Sequence, residues 1–306
     1  MKFSQHFKPQ DQGDLMPESL LIKLRAANPE GLDARLEHLD EESVVQPKDS
    51  LAFSCRGCGD KCCTTDTPIV LSIPEVWRMS WQILRTPGMA QMFRRTGMGA
   101  TVVYLGHSSG LPVHMLNKLD GHCVFLTPIG EGKTAASSNL YGCAIHEQRP
   151  NTCRVFPLGR IMAYEQDGPA IQEEYVLSSR CPGFEPAREG EAVIEGYRPP
   201  DNEQTVQKWV DKNLPVENRT ETSLAFEVFK HFMDEGLHAP TDSQPGGKLQ
   251  AEFVMSAMLR LFYVPPAPPE TTALDHGVIM GRLEVMRDEG PEIVQTAYQK
   301  WLEERQ

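Results

Sequence analysis

Eight cysteines are the residues of this chain that are best suited to metal chemistry, and four of them lie within nine positions. These four form the segment Cys55-Arg-Gly-Cys58-Gly-Asp-Lys-Cys62-Cys63. Thiolates are soft ligands that suit zinc, iron–sulfur clusters and Cu(I). In a Cys-x2-Cys spacing, a tight turn can direct two sulfur atoms at one ion. The segment therefore predicts a metal site rather than four unrelated buried thiols.

Four further cysteines complete the predicted set of metal ligands. The eight predicted ligands are Cys55, Cys58, Cys62, Cys63, Cys123, Cys143, Cys153 and Cys181. Eight sulfur atoms suffice for two four-sulfur sites, for one iron–sulfur cluster with one zinc ion, or for a binuclear centre with bridging thiolates. The spacing does not distinguish these alternatives. The predicted cofactor is therefore zinc or iron, with a 4Fe-4S cluster as one form of the iron.

The first cysteine segment leaves two points open. Neighbouring side chains of an extended chain point to opposite sides, so Cys62 and Cys63 could serve two sites, or one of them could be the ligand while the other supports it. Cys55 and Cys58 could also form a redox-active dithiol. The order Cys-x2-Cys-x3-Cys is the reverse of the run that marks radical S-adenosylmethionine enzymes, which argues against that class.

Three polar side chains near the later cysteines could support the site. His146 lies between Cys143 and Cys153, where it could be a metal ligand or a histidine that bonds to the backbone. Arg149 and Arg154 could donate hydrogen bonds to metal-bound sulfur, recognise a carboxylate, or brace the loop. The sequence leaves these alternatives open.

The charge distribution limits the partners of the chain. The 306 residues are 40% hydrophobic and 24% charged, which is typical of a globular protein. The formal net charge of −12 argues against sequence-independent binding to nucleic acid, which needs clustered cations. Between Cys55 and Cys181, however, 12 Lys and Arg residues outnumber 10 Asp and Glu residues. Cations in this region would favour the thiolate form of cysteine.

The sequence also indicates a compartment. The opening residues lack the apolar run of a signal peptide, and no stretch reaches the roughly 18 apolar residues of a membrane span. We therefore expect a cytoplasmic protein that does not enter a membrane, in surroundings where thiols stay reduced. Metal binding then explains the cysteines better than structural disulfides do.

Short apolar runs bounded by turn residues predict strands around the cysteines. They are Thr67–Ser72, Thr101–Leu105, Val113–Leu116, Cys123–Leu126 and Leu140–Ile145. Ser72 and Glu75 have the spacing of a capping box, which predicts a helix directly after Ser72. We expect the cysteines to lie at turns and at strand ends.

Helical spacing dominates the C-terminal part of the chain. Apolar residues recur at intervals of three and four positions, which is typical of amphipathic helices. The segments are Val206–Val210, Ala225–Phe232, Leu249–Phe262 and Ile293–Leu302, with the last helix predicted to open at Pro291 and a further one predicted between Thr271 and Asp288.

The predicted fold class is α+β, with a small metal-stapled cysteine-cluster domain of short strands and loops and a helical C-terminal region. Residues 1–50 are predicted to form a lead-in with one helical stretch around Glu18–Ala26. Residues 51–185 form the predicted metal-binding domain, and residues 186–306 form the predicted helical region.

A second motif makes the middle of the chain recognisable. It reads Cys143-Ala-Ile-His146-Glu-Gln-Arg149-Pro150-Asn-Thr-Cys153-Arg154-Val-Phe156-Pro157. With Cys123-Val-Phe-Leu126 before it and Cys181-Pro-Gly183 after it, this run resembles the CxxCxxCC cysteine-cluster family, the YkgJ-type proteins described as zinc- or iron-chelating. The resemblance covers about residues 51–185, and the order of all eight cysteines agrees. One departure is that three residues, rather than two, separate Cys58 from the adjacent pair.

The resemblance implies a protein that binds zinc, iron or an iron–sulfur cluster, for structure or for metal handling. The family also includes proteins similar to flagellin lysine-N-methylases, so the alternative is a metal- or cluster-dependent enzyme that modifies a protein. The predicted partners are a metal ion and, for the alternative, a protein substrate or partner. A third interpretation is an interaction module whose cysteine cluster only staples the fold.

Overall fold

The fold combines short strands with helices, in agreement with the predicted α+β class. The computed structural model describes residues 44–53, 63, 69–84, 98–105, 109–128, 141–164, 171–177, 181–184, 205–237, 247–263 and 274–304. The predicted lead-in helix at Glu18–Ala26 lies outside these residues, and so do Cys55, Cys58 and Cys62.

The strands lie in the first half of the described residues, between Val44 and Leu177. They are β1 (Val44–Val45), β2 (Val70–Leu71), β3 (Met98–Leu105), β4 (Ser109–Leu116), β5 (Lys118–Leu119), β6 (His122–Cys123), β7 (Leu126–Pro128), β8 (Tyr141–Cys143), β9 (Leu158–Tyr164) and β10 (Ile171–Leu177). The predicted strands at 101–105 and 113–116 fall within β3 and β4, which confirms them.

The longest described helices lie in the C-terminal part, which confirms the predicted helical region. The helices are α1 (Ile73–Leu84), α2 (Asn151–Val155), α3 (Val206–Asn213), α4 (Val216–Asp234), α5 (Gly247–Tyr263) and α6 (His276–Glu303), with one-turn 3-10 helices at His146–Gln148 and Pro182–Phe184. Among the helices of the described residues, none combines the length and the apolar character needed to cross a lipid bilayer.

The chain folds as two compact units that alternate along the sequence. The first comprises Met1–Ala34, Val70–Met115 and Thr220–Gln306, and the second comprises Arg35–Ile69 and Leu116–Arg219. The ranges of the second unit include all eight cysteine positions. The predicted domain boundaries near residues 50 and 185 stay a prediction.

Helix α1 of the first unit begins where its capping residues predict. Glu75 accepts hydrogen bonds from both the backbone N–H and the hydroxyl group of Ser72, each at 2.6 Å. The glutamate thus reaches back over the helix start, as in a capping box, and satisfies a backbone donor outside the first turn. The prediction of a helix directly after Ser72 is confirmed.

Aromatic residues build the core of the first unit. The indole N–H of Trp77 donates to the carbonyl oxygen of Phe262 at 2.8 Å, and the Trp77 side chain is fully buried. The ring of Phe262 packs edge-on against Phe229 and Phe232, with centroids 5.3 and 4.8 Å apart. Trp77 is therefore a core residue that links α1 to α5.

A buried carboxylate connects three helices of the first unit. The side chain of Glu221 on α4 has no solvent exposure and meets Arg78 of α1 at 2.5 Å. Its other oxygen lies 2.8 Å from Nδ1 of His276, the first residue of α6. A buried carboxylate is costly unless it is paired, and these two partners compensate for its loss of water.

The prediction that the last helix opens at Pro291 is wrong. Helix α6 runs from His276 to Glu303 and contains Pro291 in its interior. A proline inside a helix lacks a donor and crowds the preceding turn, at a cost of about 3 kcal/mol. Gly290 and Pro291 are both buried, so packing of this part of α6 offsets the cost.

In its described residues, the second unit has one three-stranded sheet and two hairpins. In the sheet, β10 lies between β1 and β9, and both pairings are antiparallel. Strands β9 and β10 were not predicted from the sequence. The predicted strand Cys123–Leu126 is divided by a turn, since β6 ends at Cys123 and β7 begins at Leu126. The predicted strand Leu140–Ile145 is shorter than expected, because β8 ends at Cys143.

A hydrophobic cluster forms a core among the described residues of the second unit. It draws on residues before the first cysteine, on the stretch from Val155 to Cys181, and on α3 with the residue that follows it. Its members are Leu51, Phe53, Val155, Leu158, Tyr175, Cys181, Val206, Trp209, Val210 and Leu214.

Candidate metal centre

The structure describes five of the eight predicted ligands, and none of the five is part of a disulfide bond. They are the half-buried Cys63, Cys123 at the end of β6, Cys143 at the end of β8, Cys153 within α2, and Cys181 directly before the 3-10 turn at 182–184. The expected placement at strand ends is confirmed for Cys123 and Cys143. Cys153 differs, because it lies in a short helix.

The hairpin that carries Cys123 is closed by an Asp-Gly turn. Asp120 and Gly121 both have positive φ angles, of 51° and 80°, and they separate the paired residues Leu119 and His122. Two positive φ angles are what a type I′ turn requires, and Asp-Gly is a preferred dipeptide for it. This signal is present in the sequence, but our strand predictions did not use it.

A second hairpin carries Cys143. In the pairing of β7 with β8, Cys143 lies opposite Leu126. The ladder continues past β8, because the N–H of Ala144 donates to the carbonyl oxygen of Phe125 at 2.9 Å. Cys123 precedes Leu126 by three residues, so the segments that contain Cys123 and Cys143 meet at this hairpin.

Hydrogen bonds from two other helices hold the short helix that contains Cys153. The indole N–H of Trp209 in α3 donates to the carbonyl oxygen of Val155 at 3.0 Å. The side-chain amide of Asn218 in α4 donates to the buried side-chain oxygen of Asn151 at 3.0 Å. Both ends of α2 are therefore fixed, and Cys153 lies between them.

Three aromatic rings bring the flanks of distant cysteines together. The ring of Phe53 lies 5.6 Å from that of Phe184 and 5.6 Å from that of Trp209, measured between centroids. Phe53 precedes Cys55 by two residues, and Phe184 follows Cys181 by three. Trp209 also donates to Val155, the last residue of the helix that contains Cys153. The flanks of three cysteine segments therefore share one aromatic cluster.

Cys123 and Cys181 are the most buried of the described cysteines, each with 8% exposure. Cys181 belongs to the hydrophobic core of the second unit. A neutral thiol is compatible with such a position, because cysteine behaves as a small apolar residue. A thiolate is compatible with it only if a cation compensates the charge.

The guanidinium group of Arg154 contacts the backbone of the loop between Cys143 and Cys153. Arg154 donates through Nε to the carbonyl oxygen of Arg149 at 2.8 Å and through Nη2 to the carbonyl oxygen of Glu147. Of the roles that the sequence left open for Arg154, these contacts favour bracing of the loop.

His146 lies on the same loop, in the 3-10 turn after Cys143. Burial lowers the pKa of His146 below its ordinary value of 6.5, and the charge of Arg149 lowers it further. The Glu147 carboxylate, 3.3 Å from Nδ1, opposes this shift only in part. The imidazole is therefore neutral at neutral pH, which is the state in which histidine can bind a metal.

The predicted ligands are not seen to form a complete site. Within the described ranges, no three His, Cys, Asp or Glu side chains are grouped so that they could hold a metal ion. Because Cys55, Cys58 and Cys62 lie outside those ranges, the eight-cysteine set stays a prediction. The described cysteines are thiols outside disulfides, and such donors fit a soft metal. Arg154 directly follows one of them, Cys153.

Residues 54–182 match the family CxxCxxCC, whose description is "Putative zinc- or iron-chelating domain". The match covers less than half of the chain and includes every cysteine. It supports the family that the cysteine motifs predict and metal binding by this segment. It does not extend to the finer relation with YkgJ-type proteins or with lysine methylases. No curated protein and no solved structure matches the chain.

Proposed function

We propose that the matched segment holds zinc or iron through cysteine thiolates and that the metal has a structural or metal-handling role. The proposed ligands are Cys55, Cys58, Cys62, Cys63, Cys123, Cys143, Cys153 and Cys181. If the metal is iron, four of these thiolates would suffice for a 4Fe-4S cluster.

The main support is the aromatic cluster of Phe53, Phe184 and Trp209. It draws together chain segments that lie next to Cys55, Cys153 and Cys181, which are far apart in the sequence. The β7–β8 hairpin does the same for Cys123 and Cys143. A metal site assembled by folding requires that the segments next to distant cysteines meet in this way.

Electrostatics supports the same proposal. Several thiolates close together repel one another and lose hydration when they are buried. A bound cation compensates both effects, and Arg149 and Arg154 add positive charge to the loop between Cys143 and Cys153. The donor chemistry therefore favours zinc or iron over harder ions such as Mg²⁺ or Ca²⁺.

Elemental analysis of the full chain, purified without oxygen, tests this proposal. We expect zinc or iron in stoichiometric amount. Colourless protein with zinc indicates a zinc site, whereas a brown protein with iron and sulfide indicates a cluster. Substoichiometric zinc and iron in a folded preparation would contradict the proposal.

Paired variants link the metal to the cysteines. We expect Cys55→Ser combined with Cys58→Ser to lose metal and much of the stability of the second unit, because structural zinc contributes about 10–16 kcal/mol in small zinc modules. Ser54→Ala is the matched control, since it changes the same segment without removing a thiol. Equal metal content in the two variants would exclude these cysteines as ligands.

A further inference from the structure

Arg154 ties the C-terminal part of the motif to its centre. It directly follows Cys153, and its guanidinium group donates to two backbone carbonyl oxygens of the preceding loop. The acceptors are Arg149, at 2.8 Å, and Glu147 in the 3-10 turn. One planar side chain thus satisfies a carbonyl group within the 3-10 turn and the carbonyl group of its C-cap residue, in a region where backbone acceptors need partners from outside the helix.

The two ends of this loop are fixed by other contacts. Cys143 lies opposite Leu126 in the β7–β8 ladder. At the other end, the carbonyl oxygen of Val155 accepts from Trp209 at 3.0 Å. Between these anchors, the 3-10 turn has its own hydrogen bond, from the N–H of Gln148 to the carbonyl oxygen of Ile145 at 2.9 Å.

Ordering a loop residue costs conformational entropy, and a site that is ordered before binding avoids this cost at the moment of binding. Nine residues separate Cys143 from Cys153. The carbonyl groups held by Arg154 belong to the centre of this stretch, so the guanidinium group limits the conformations that the loop can adopt.

We infer that Arg154 is a positioning residue that presets the loop between Cys143 and Cys153 before a metal binds. This inference rests on the proposed function, because it assigns the preset geometry to metal ligands. The planar fork of the guanidinium group carries the role, since lysine has the same charge but cannot donate to both carbonyl groups in the same way.

The test compares Arg154→Lys and Arg154→Ala with the unmodified full chain. Hydrogen exchange of the metal-free proteins measures the order of amides 144–152. Competition with a chromophoric chelator measures the affinity for Zn²⁺ and, in parallel and without oxygen, for Fe²⁺. Arg219→Lys is the matched control, because the Nη2 atom of Arg219 contacts the exposed Asp211 side chain at 3.0 Å instead of loop carbonyls.

We expect faster exchange in the loop and a 10- to 100-fold lower metal affinity in both Arg154 variants, with Arg219→Lys unchanged. Wild-type affinity in Arg154→Lys would overturn the inference, because charge alone would then suffice. Unchanged loop exchange would also overturn it, even if metal affinity falls. If Arg154→Ala does not fold, Arg154→Lys decides the question.

The two proposals fail in different ways. An unmodified chain that binds neither Zn²⁺ nor Fe²⁺ overturns the proposed function, and the role of Arg154 toward a metal is overturned with it. An unmodified chain that binds metal beside an Arg154→Lys variant of equal affinity overturns the role of Arg154 alone.

Discussion

The indole N–H of Trp209 donates a 3.0 Å hydrogen bond to the carbonyl oxygen of Val155, two residues after Cys153. The first unit contains a bond of the same kind, from the indole of Trp77 to the carbonyl oxygen of Phe262 at 2.8 Å. Both indoles are buried. Removing each bond in a separate variant therefore distinguishes the general cost of losing an indole hydrogen bond from a specific effect on the cysteine segment.

Trp209→Phe is expected to lower the free energy of unfolding by about 1–3 kcal/mol, because the buried carbonyl group of Val155 loses its donor. Metal affinity should fall as well, since the Cys153 helix is less firmly held. Trp77→Phe serves as the control and should reduce stability by a similar amount without an effect on the metal. Urea unfolding and zinc competition measure the two quantities. Equal zinc affinity in both variants would show that Trp209 supports only the core.

Cys181 distinguishes a ligand from an apolar thiol, because it lies in the hydrophobic core with 8% exposure. As an apolar thiol, it should tolerate Cys181→Ala at a cost of about 1 kcal/mol in packing. If Cys181 is a ligand, the protein should lose metal content or metal affinity on the same change. Elemental analysis and urea unfolding of Cys181→Ala separate the two cases. Full metal content with a small loss of stability would remove Cys181 from the proposed set.

Two glycines of α6 predict opposite effects of the same substitution. A Cβ atom at Gly290 would lie 2.7 Å from Cζ of the buried Phe232 ring, whereas a Cβ atom at Gly281 meets nothing within 4 Å. Gly290→Ala should therefore destabilise the protein by about 1–3 kcal/mol through overpacking. Gly281→Ala should stabilise it by up to about 1 kcal/mol, because alanine favours the helix. Thermal unfolding checks both signs, and a neutral Gly290→Ala would contradict this packing.

Tyr263 predicts a loss of stability in alkaline solution. Burial raises the pKa of Tyr263 above its ordinary value of 10.0. At a pH above 10, the native state therefore keeps the phenol proton that the unfolded chain loses. The stability that this group contributes is fully present below pH 10 and declines above it. The expected slope from this group is about 1.4 kcal/mol per pH unit.

Tyr263→Phe is the control for this pH dependence. It removes the ionisation together with the hydrogen bond from the phenol group to the carbonyl oxygen of Pro112, which measures 3.1 Å. Near neutral pH the variant should be less stable by about 1 kcal/mol. Above pH 10 the difference between the two proteins should shrink and then reverse. Urea unfolding at pH 8, 10 and 11 measures this, and parallel curves would contradict the prediction.

Elements with a strong local signal could be predicted from the sequence. Helices α3, α4 and α5 follow from apolar residues spaced three and four positions apart, because one buried face is enough to define each of them. The start of α1 follows from Ser72 and Glu75, whose contact is local. The cysteine motifs likewise predict the family match, since the spacing of the cysteines is a local property.

Features that depend on distant contacts could not be predicted. Pro291 is tolerated inside α6 because that part of the helix is buried, which only the folded structure reveals. The helix around Cys153 depends on Trp209, which lies 54 residues after its acceptor. Strand β10 was missed because the consecutive polar residues Gln172, Glu173 and Glu174 interrupt the alternation expected of a strand.

The alternation of the two units along the chain has a consequence during synthesis. Residues Val70–Met115 of the first unit separate the two stretches that build the second. A ribosome therefore releases Cys63 118 residues before Cys181, an interval on the order of ten seconds at common elongation rates. On the proposed ligand set, the earliest thiols of the nascent chain meet the metal pool of the cell before their partners exist. On that set, the complete site can form only after Cys181 has been synthesised.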